Sequence, residues 1–261
     1  MVRSYAKINI ALFVNEKRSD GFHNIDSFFH LVDLFDEIDF SISESERTEV
    51  RIARSAPYLD EGKMDLMEKA ALLFSSASRK NFSLEISIKK NIPSKAGLGG
   101  GSSNASAVLR YLNSHYENIL SSDTLMNLAL LTGSDVPFFL SGFKAAHVKG
   151  RGEIIKEVEP LMCSVDLFFP HFSVDTAGAY RILDEIKREK KEIESDKIIL
   201  SNKLTNDFEL VVSEKKEIAE LRECYGFFSL SGSGSTYYGI NRQKPVSQYN
   251  NIDRLTRFLL F

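Results

Sequence analysis

Length, composition and charge place this chain among ordinary globular proteins. Its 261 residues can form one large domain or two modest ones, and its 43% hydrophobic and 26% charged residues are near the averages for that class. A formal net charge of -3 gives no reason to expect a nucleic acid or an anionic membrane as a partner. Two cysteines without paired spacing and the lack of a long apolar run predict a protein of the reducing cytoplasm.

The first part of the chain alternates strand and helix patterns. Apolar and polar residues alternate from Ile8 to Val14 and, more strictly, from Phe82 to Lys89, which is typical of strands with one buried face. From Lys63 to Arg79, apolar residues recur every three or four positions and predict a helix. In chain order, the patterns predict strands at 8–14, 37–42, 49–53 and 82–89, and helices at 63–79, 103–115 and 124–131.

The second part of the chain is less regular. No linker rich in proline or serine separates it from the first part, but the pattern changes near residues 150–160. We therefore predict domains at residues 1–155 and 156–261. The patterns predict strands at 165–169, 227–230 and 236–240, and helices at 177–193 and 214–225.

A glycine-rich segment, Gly97-Leu-Gly-Gly-Gly-Ser-Ser103, lies between a predicted strand and a predicted helix. Glycines let the backbone bend sharply and approach a ligand closely. The first N–H groups of a helix have no partner within the helix, and the helix dipole adds partial positive charge there. The segment therefore predicts a phosphate site, in which the hydroxyls of Ser102 and Ser103 would bind a phosphate oxygen or a magnesium ion.

Other interpretations of this segment are less favoured. A merely flexible loop would not need so many glycines, each of which costs backbone entropy on folding. The segment is not a P-loop, because no Lys-Ser or Lys-Thr follows the glycines. It also lacks the third glycine of a dinucleotide fingerprint at the required spacing.

Two charged residues stand out as candidates for phosphoryl transfer. Asp135, in Thr132-Gly-Ser-Asp-Val-Pro-Phe-Phe139, is a carboxylate among apolar residues, a setting that suits a base. Its simpler interpretation is a helix cap or a turn residue. Lys7 lies in an apolar strand, where an inward ammonium would need Asp135 or a phosphate as partner; its alternative is a snorkelling lysine at an edge.

Two loop features carry weaker signals. None of the five histidines has the spacing of a metal site, and no metal ligand is assigned from the sequence. His23, in a polar turn after Phe22, is the histidine we would place in a site, although a lone loop histidine is usually just exposed. The small-residue loop Ser231-Gly-Ser-Gly-Ser235 would contact a ligand or form a tight turn.

Three segments, in this order, resemble the superfamily of galactokinase, homoserine kinase, mevalonate kinase and phosphomevalonate kinase. They are Ala6-Lys7-Ile8-Asn9, the stretch from Pro93 to Ser103, and Ser231-Gly-Ser-Gly-Ser-Thr236. Within it, the chain is most similar to the family of 4-diphosphocytidyl-2-C-methyl-D-erythritol kinases. That similarity rests on Ala6-Lys7-Ile8-Asn9-Ile10, Arg18-Ser-Asp-Gly-Phe-His23, Gly97-Leu-Gly-Gly-Gly-Ser-Ser-Asn-Ala105 and Gly133-Ser-Asp-Val-Pro-Phe138.

The resemblance implies a reaction and a set of roles. The γ-phosphoryl group of ATP, with Mg²⁺, would pass to the 2-hydroxyl group of the cytidine-diphosphate-linked methylerythritol, in the non-mevalonate route to isoprenoid precursors. Asp135 matches the catalytic base, and Lys7 the lysine that holds it and the reacting groups. The substrate side would comprise Asn9, Phe22, His23 at the cytosine, Thr176, and Tyr180 stacked on the cytosine. The ATP side would comprise Pro93, Ser94, Lys95, Ala96, Gly97, Leu98, Gly99, Gly100, Gly101, Ser102 and Ser103.

The resemblance also implies the fold. It is α/β (α+β, in two layers), with two domains, an active site in the cleft between them and an unusual left-handed β-α-β unit in the first. General rules for crossover connections would have predicted a right-handed one. The chain departs from the family at Phe22, where tyrosine is usual, at Lys95-Ala96, where a glycine-rich pair is usual, and at Asp65, where asparagine is common.

Two other functions are weighed against this one. The same class of kinase could act on another acceptor, such as homoserine or mevalonate, but Phe22, His23 and Tyr180 suit a flat base. A non-catalytic nucleotide or sugar sensor on the same scaffold would not need both Lys7 and Asp135.

Overall fold

A computed structural model describes residues 1–55, 64–172, 174–186, 189–195, 197–201, 204–212, 216–244 and 252–260. The chain forms two compact units, and neither is a continuous stretch of the sequence. The predicted domain boundary at residue 155 stays a prediction. The first unit comprises Met1–Ala6, Leu34–Ser94 and Gly99–Phe143, and the second comprises Lys7–Asp33, Lys95–Leu98 and Lys144–Phe261.

Strands and helices are interspersed along the chain, as expected for a mixed α/β protein. The strands are β1 (Val2–Lys17), β2 (His23–Glu44), β3 (Glu49–Arg54), β4 (Phe82–Lys89), β5 (Ala145–Gly150), β6 (Ile154–Glu157), β7 (Ser164–Pro170), β8 (Tyr225–Leu230), β9 (Tyr237–Arg242) and β10 (Ile252–Leu259). The helices are α1 (Leu66–Ser78), α2 (Gly100–His115), α3 (Ser122–Thr132), α4 (Val136–Ser141), α5 (Thr176–Glu185) and α6 (Lys216–Arg222), with a 3-10 turn at Asp207–Leu210.

The first unit is built on a β-α-β unit. Strands β3 and β4 pair in parallel, with Glu49 opposite Ser83, and α1 connects them. The second half of β2 pairs antiparallel with β4, with Glu44 opposite Phe82. The alternation predicted for β4 is confirmed, because its apolar residues are the buried ones and pack against α1 and α2. The left-handed connection implied by the family stays a prediction.

The second unit contains two groups of strands. In one group, β1 pairs with β2, and β5 pairs antiparallel with both β2 and β6. The other is a four-stranded antiparallel sheet in the order β10-β7-β9-β8. Buried residues of this sheet, of α5 and of the 3-10 turn form one core, which includes Phe168, Phe208, Phe228 and Tyr237.

Several predicted bounds are wrong. The helix predicted at 103–115 begins at Gly100, within the glycine segment, and the one predicted at 214–225 ends at Arg222. Its predicted first residues, 214 and 215, lie outside the described ranges. The helix predicted at 177–193 ends at Glu185. After it, the backbone of Lys191 exchanges hydrogen bonds of 3.2 and 3.3 Å with the side chain of Asn15, so tertiary contacts override the local helical pattern. Strands β5, β6 and β10 were not predicted.

No helix within the described ranges is long and apolar enough to cross a membrane.

Lys63, the predicted first residue of α1, lies outside the described ranges.

A buried histidine on β2 makes the stability of the fold sensitive to acid. His30 Nδ1 lies 2.8 Å from the carbonyl oxygen of Leu31, and Nε2 accepts a hydrogen bond of 2.8 Å from the N–H of Leu161. The ring is therefore held in its neutral form, and burial lowers the pKa of His30 to about 4, from an ordinary value near 6.5.

We expect this histidine to destabilise the fold as the pH falls from about 6.5 to 4. Between these pH values, His30 is protonated in the unfolded chain but stays neutral in the folded chain. The free energy of unfolding therefore falls by up to about 3 kcal/mol over that range. Urea unfolding at pH 7, 6, 5 and 4.5 would measure the fall. In His30→Gln, the free energy of unfolding should fall much less between pH 7 and pH 5 than in the wild type. Replacement of the exposed His115 by glutamine should leave the fall unchanged. Equal slopes in the wild type and His30→Gln would contradict the prediction.

Candidate active site

In the first unit, the glycine segment becomes the start of α2. Gly99 is the N-cap residue, with a φ of 70°, a left-handed conformation that favours glycine. A Cβ atom at Gly100 would lie 2.9 Å from Cγ2 of Ile92, so the start of the helix packs closely against Ile92. The N–H groups of the first helical turn have no partner within the helix. The turn therefore has the geometry and the polarity of a phosphate cradle.

The two serines of this segment differ in their surroundings. Ser103 is 3% exposed, and its hydroxyl accepts a hydrogen bond of 2.7 Å from that of Ser4. Its N–H donates to the carbonyl oxygen of Gly99 at 2.9 Å. Ser102 is only half-buried. The arrangement favours Ser102 over Ser103 as the hydroxyl that meets a ligand.

A buried aspartate that sequence reasoning missed shapes the entry to the turn. Asp36, fully buried on β2, accepts hydrogen bonds from the N–H groups of Asn91 at 2.8 Å and Ile92 at 2.9 Å, and it pairs with the ammonium group of Lys90. The signal was available, because period two from Leu34 places Asp36 on the buried face of its strand.

Asp135 lies in the turn between α3 and α4. It occupies the N-cap position of α4, but its side chain makes no capping hydrogen bond, so capping does not explain the residue. Two cationic side chains hold the helix ends on either side. Lys69 of α1 donates to the carbonyl oxygen of Thr132 at 3.2 Å, and Arg110 of α2 donates to that of Phe139. The half-buried carboxylate therefore lies in a braced turn.

In the second unit, Lys7 is a buried lysine of β1. It is 3% exposed, so the alternative of a snorkelling lysine at an edge is wrong. Its ammonium group donates to Oδ1 of Asn9 at 2.6 Å and lies 4.7 Å from the ring centre of Phe29. Asn9 is held in turn, since its side-chain amide N–H donates to Ser27 Oγ at 2.9 Å and its backbone carbonyl oxygen accepts from the hydroxyl of Tyr238 at 2.8 Å. The ammonium group is thus tightly positioned.

The first residues of the glycine segment pack against the loop that starts at Ser231. Gly97 has a φ of 75°, and a Cβ atom there would lie 2.1 Å from the carbonyl oxygen of Ser231. The Ser231 hydroxyl donates to the carbonyl oxygen of Gly97 at 3.0 Å, and the N–H of Thr236 donates to that of Ala96 at 3.2 Å. Only glycine fits at position 97, and the Ser231 loop supports the glycine segment from one side.

Lys7 joins the same junction through its backbone. Its N–H donates to the carbonyl oxygen of Leu98 at 2.9 Å. Parts of the three segments that carry the superfamily resemblance therefore meet within the second unit, although they are far apart in the sequence.

Two of the predicted cytidine-side residues, His23 and Tyr180, lie against each other in the second unit. The rings of His23 and Tyr180 stack, with centres 4.8 Å apart and planes 18° apart. His23 Nε2 lies 2.7 Å from Oδ1 of Asp184, and this hydrogen bond holds the pKa of that carboxyl group below its usual range. Asp184 was missed by sequence reasoning, although its spacing from Thr176 and Tyr180 places all three on one face of α5.

Phe22 and Thr176 lie nearer the surface. Phe22 is 46% exposed, and the guanidinium group of Arg151 lies 4.7 Å from its ring centre. The Thr176 hydroxyl is hydrogen-bonded to that of Ser233 at 2.7 Å, which ties α5 to the Ser231 loop.

Asp65 and Lys95, the other departures from the family, differ in how well they suit their positions. Asp65 caps α1, since its Oδ1 accepts from the N–H of Met67 at 2.7 Å, and it pairs with Arg54. Lys95 has a φ of 57°, a left-handed conformation that a glycine adopts freely and other residues adopt at a cost of roughly 1–2 kcal/mol.

Among the described residues, no group of three or more histidine, cysteine, aspartate and glutamate side chains could hold a metal ion.

Comparisons with known proteins show the family of the chain. A sequence profile of the family described as GHMP kinases N terminal domain matches residues 65–143. The 4-diphosphocytidyl-2-C-methyl-D-erythritol kinase of Fusobacterium nucleatum subsp. nucleatum is 40% identical over 266 residues, which are 94% of this chain and 89% of that protein. The resemblance stated from the sequence is therefore confirmed.

Solved structures give the same result for the fold. The crystal structure of a 4-(cytidine 5'-diphospho)-2C-methyl-D-erythritol kinase is 28% identical and matches with a TM-score of 0.72, covering 92% of this chain and 89% of that one. The mevalonate kinase of Methanococcus jannaschii matches with a TM-score of 0.68, covering 100% of this chain and 98% of that one. Since it is only 13% identical, it shows likeness of fold alone.

Proposed function

Because the chain belongs to the family of 4-diphosphocytidyl-2-C-methyl-D-erythritol kinases, we propose that it is an ATP-dependent kinase of this specificity. It transfers the γ-phosphoryl group of ATP to the 2-hydroxyl group of 4-(cytidine 5'-diphospho)-2-C-methyl-D-erythritol. The product enters the non-mevalonate route to isoprenoid precursors.

One structural observation supports kinase chemistry most directly. Lys7 is 3% exposed, and its backbone is hydrogen-bonded to the glycine segment. A positive charge held next to a transferred phosphoryl group stabilises the transition state.

The proposed roles follow from the chemistry of phosphoryl transfer. The stretch from Pro93 to Ser103 binds the triphosphate through backbone N–H groups and the start of α2. Asp135 accepts the proton of the acceptor hydroxyl or orients that hydroxyl for attack. Positioning and charge neutralisation supply most of the rate. Mg²⁺ bound to ATP would neutralise part of the phosphate charge, and we assign no protein ligand to it.

The proposed substrate side uses a flat, polar surface. Phe22, His23 and Tyr180 contact the cytosine, while Asn9 and Thr176 contact other parts of the acceptor. The stacked rings of His23 and Tyr180 support this role, because aromatic faces bind a base by stacking. We also propose a cytoplasmic location without nucleic acid or membrane partners, which the two free thiols of Cys163 and Cys224 suit.

One coupled assay tests the function. Purified chain with ATP and the cytidylated methylerythritol should release ADP and form a phosphomonoester that ³¹P NMR detects. Homoserine and mevalonate, offered at the same concentrations, should give no turnover above background. Turnover with either of them instead would favour the other-acceptor alternative, and no turnover with any acceptor would favour a sensor.

A further inference from the structure

We propose that Asp184 determines specificity by holding His23 in the tautomer that accepts a hydrogen bond from the exocyclic amine of cytosine. Asp184 acts through His23 and is therefore a positioning residue. The inference rests on the proposed function, which places His23 at the base.

The geometry of the pair decides which ring nitrogen carries the proton. His23 Nε2 lies 2.7 Å from Oδ1 of Asp184. An ionised carboxylate only accepts hydrogen bonds, so Nε2 must be the donor. In the neutral imidazole, Nδ1 then carries a lone pair and is an acceptor. Within the described residues, no hydrogen bond to Nδ1 of His23 is formed.

Helix α5 also fixes the orientation of the ring. Tyr180 stacks on its face, one helical turn before Asp184, which binds its edge. Tyr180 is itself held by Phe208, whose ring meets it edge-on at 4.9 Å between centres. The imidazole is 7% exposed, and a 180° turn of the ring in its own plane would break the hydrogen bond to Asp184. The direction of the Nδ1 lone pair is therefore set by the fold.

The two carboxylate oxygens of Asp184 have different partners. Oδ2 lies 3.4 Å from Nζ of Lys17, a side chain that is 56% exposed. An exposed ion pair of this length contributes little to stability. Replacement of Lys17 therefore changes the charge next to Asp184 without removing the hydrogen bond to His23, and it serves as a control.

This arrangement distinguishes the two pyrimidines. Cytosine presents an amine at position 4, which donates to a lone pair, whereas uracil presents a carbonyl oxygen there, which a lone pair repels. A site built to bind one polar group rejects an analogue that leaves its partner unsatisfied. In a variant that no longer fixes the tautomer of His23, the preference for cytosine over uracil should weaken.

The decisive variant is Asp184→Asn, with Glu185→Gln as the matched control. Both remove one exposed carboxylate from α5, but it is the Asp184 carboxylate that binds His23. We expect Asp184→Asn to lower the ratio of kcat/KM for the cytidine-linked over the uridine-linked acceptor by at least about tenfold, through the KM of the acceptor. The KM for ATP should not change, and Glu185→Gln and Lys17→Met should keep the ratio. An unchanged ratio in a folded Asp184→Asn protein would overturn the proposal.

The tautomer itself can be observed by NMR of protein labelled with ¹⁵N-histidine. The wild type should show His23 protonated at Nε2 alone, and Asp184→Asn should show a mixture. A wild-type ring protonated at Nδ1 alone would refute the mechanism. If the wild type turns over neither acceptor, the proposed function fails, but the relative affinities of wild type and Asp184→Asn for CDP and UDP still test the inference.

Discussion

Replacement of Asp135 by alanine is expected to lower kcat at least about a hundredfold, the usual effect of losing one acid-base or electrostatic group. The carboxylate is proposed to take or orient the proton of the acceptor hydroxyl. The fold should persist, because the side chain makes no capping bond to α4 and the turn is braced by Lys69 and Arg110. Single-turnover rates with saturating ATP and acceptor would measure the loss.

Two further variants make the Asp135 experiment specific. Asp135→Asn keeps the shape of the side chain but cannot accept a proton, so it should be nearly as slow as the alanine variant. Asp123→Ala removes an exposed carboxylate from the first turn of α3 and should retain full turnover. If Asp135→Ala works at near the wild-type rate with an unchanged melting temperature, Asp135 is not the base.

Replacement of Lys7 by alanine is expected to lower kcat by a similar factor, at least about a hundredfold. The ammonium group is buried, fixed by Asn9 at 2.6 Å and positioned over Phe29, so neither water nor a neighbouring lysine can easily replace its charge. Because charge at the transferred group develops in the transition state, kcat should fall more than the KM for ATP rises. Steady-state kinetics with each substrate varied would separate the two effects.

Packing must be separated from charge at this position. Lys7→Met preserves most of the side-chain volume and should be as slow as Lys7→Ala, while losing less stability in a thermal melt. Lys216→Ala removes a lysine that is 87% exposed and should leave kcat unchanged. Near-normal turnover in Lys7→Met would show that the ammonium group does not take part in the reaction.

Local patterns were sufficient for the regular elements whose burial follows the period of the chain. Strand β4 lies at the predicted Phe82–Lys89, because its alternate residues face one core. The glycine segment was correctly placed before a helix, since its composition and position are both local properties. Its exact start at Gly100 was not predicted, because it depends on the close contact with Ile92.

Long-range contacts explain what the patterns missed. The segment after Glu185 has the composition of a helix, but Asn15 binds the backbone of Lys191 and holds it in another conformation. Asp36 lies in an otherwise largely apolar stretch of β2, and only the fold shows that it binds the backbone of Asn91 and Ile92 ahead of the glycine segment.

The amino-acid sequence by itself determined the class of site, because glycines before a helix, a lysine in an apolar strand and an aspartate in an apolar turn each have a chemistry that does not depend on the rest of the chain. Only the tertiary structure decided that Lys7 binds Leu98, that Thr236 binds Ala96 and that Asp184 binds His23. Such contacts join residues far apart in the chain, and their geometry is set by the packing of whole strands and helices.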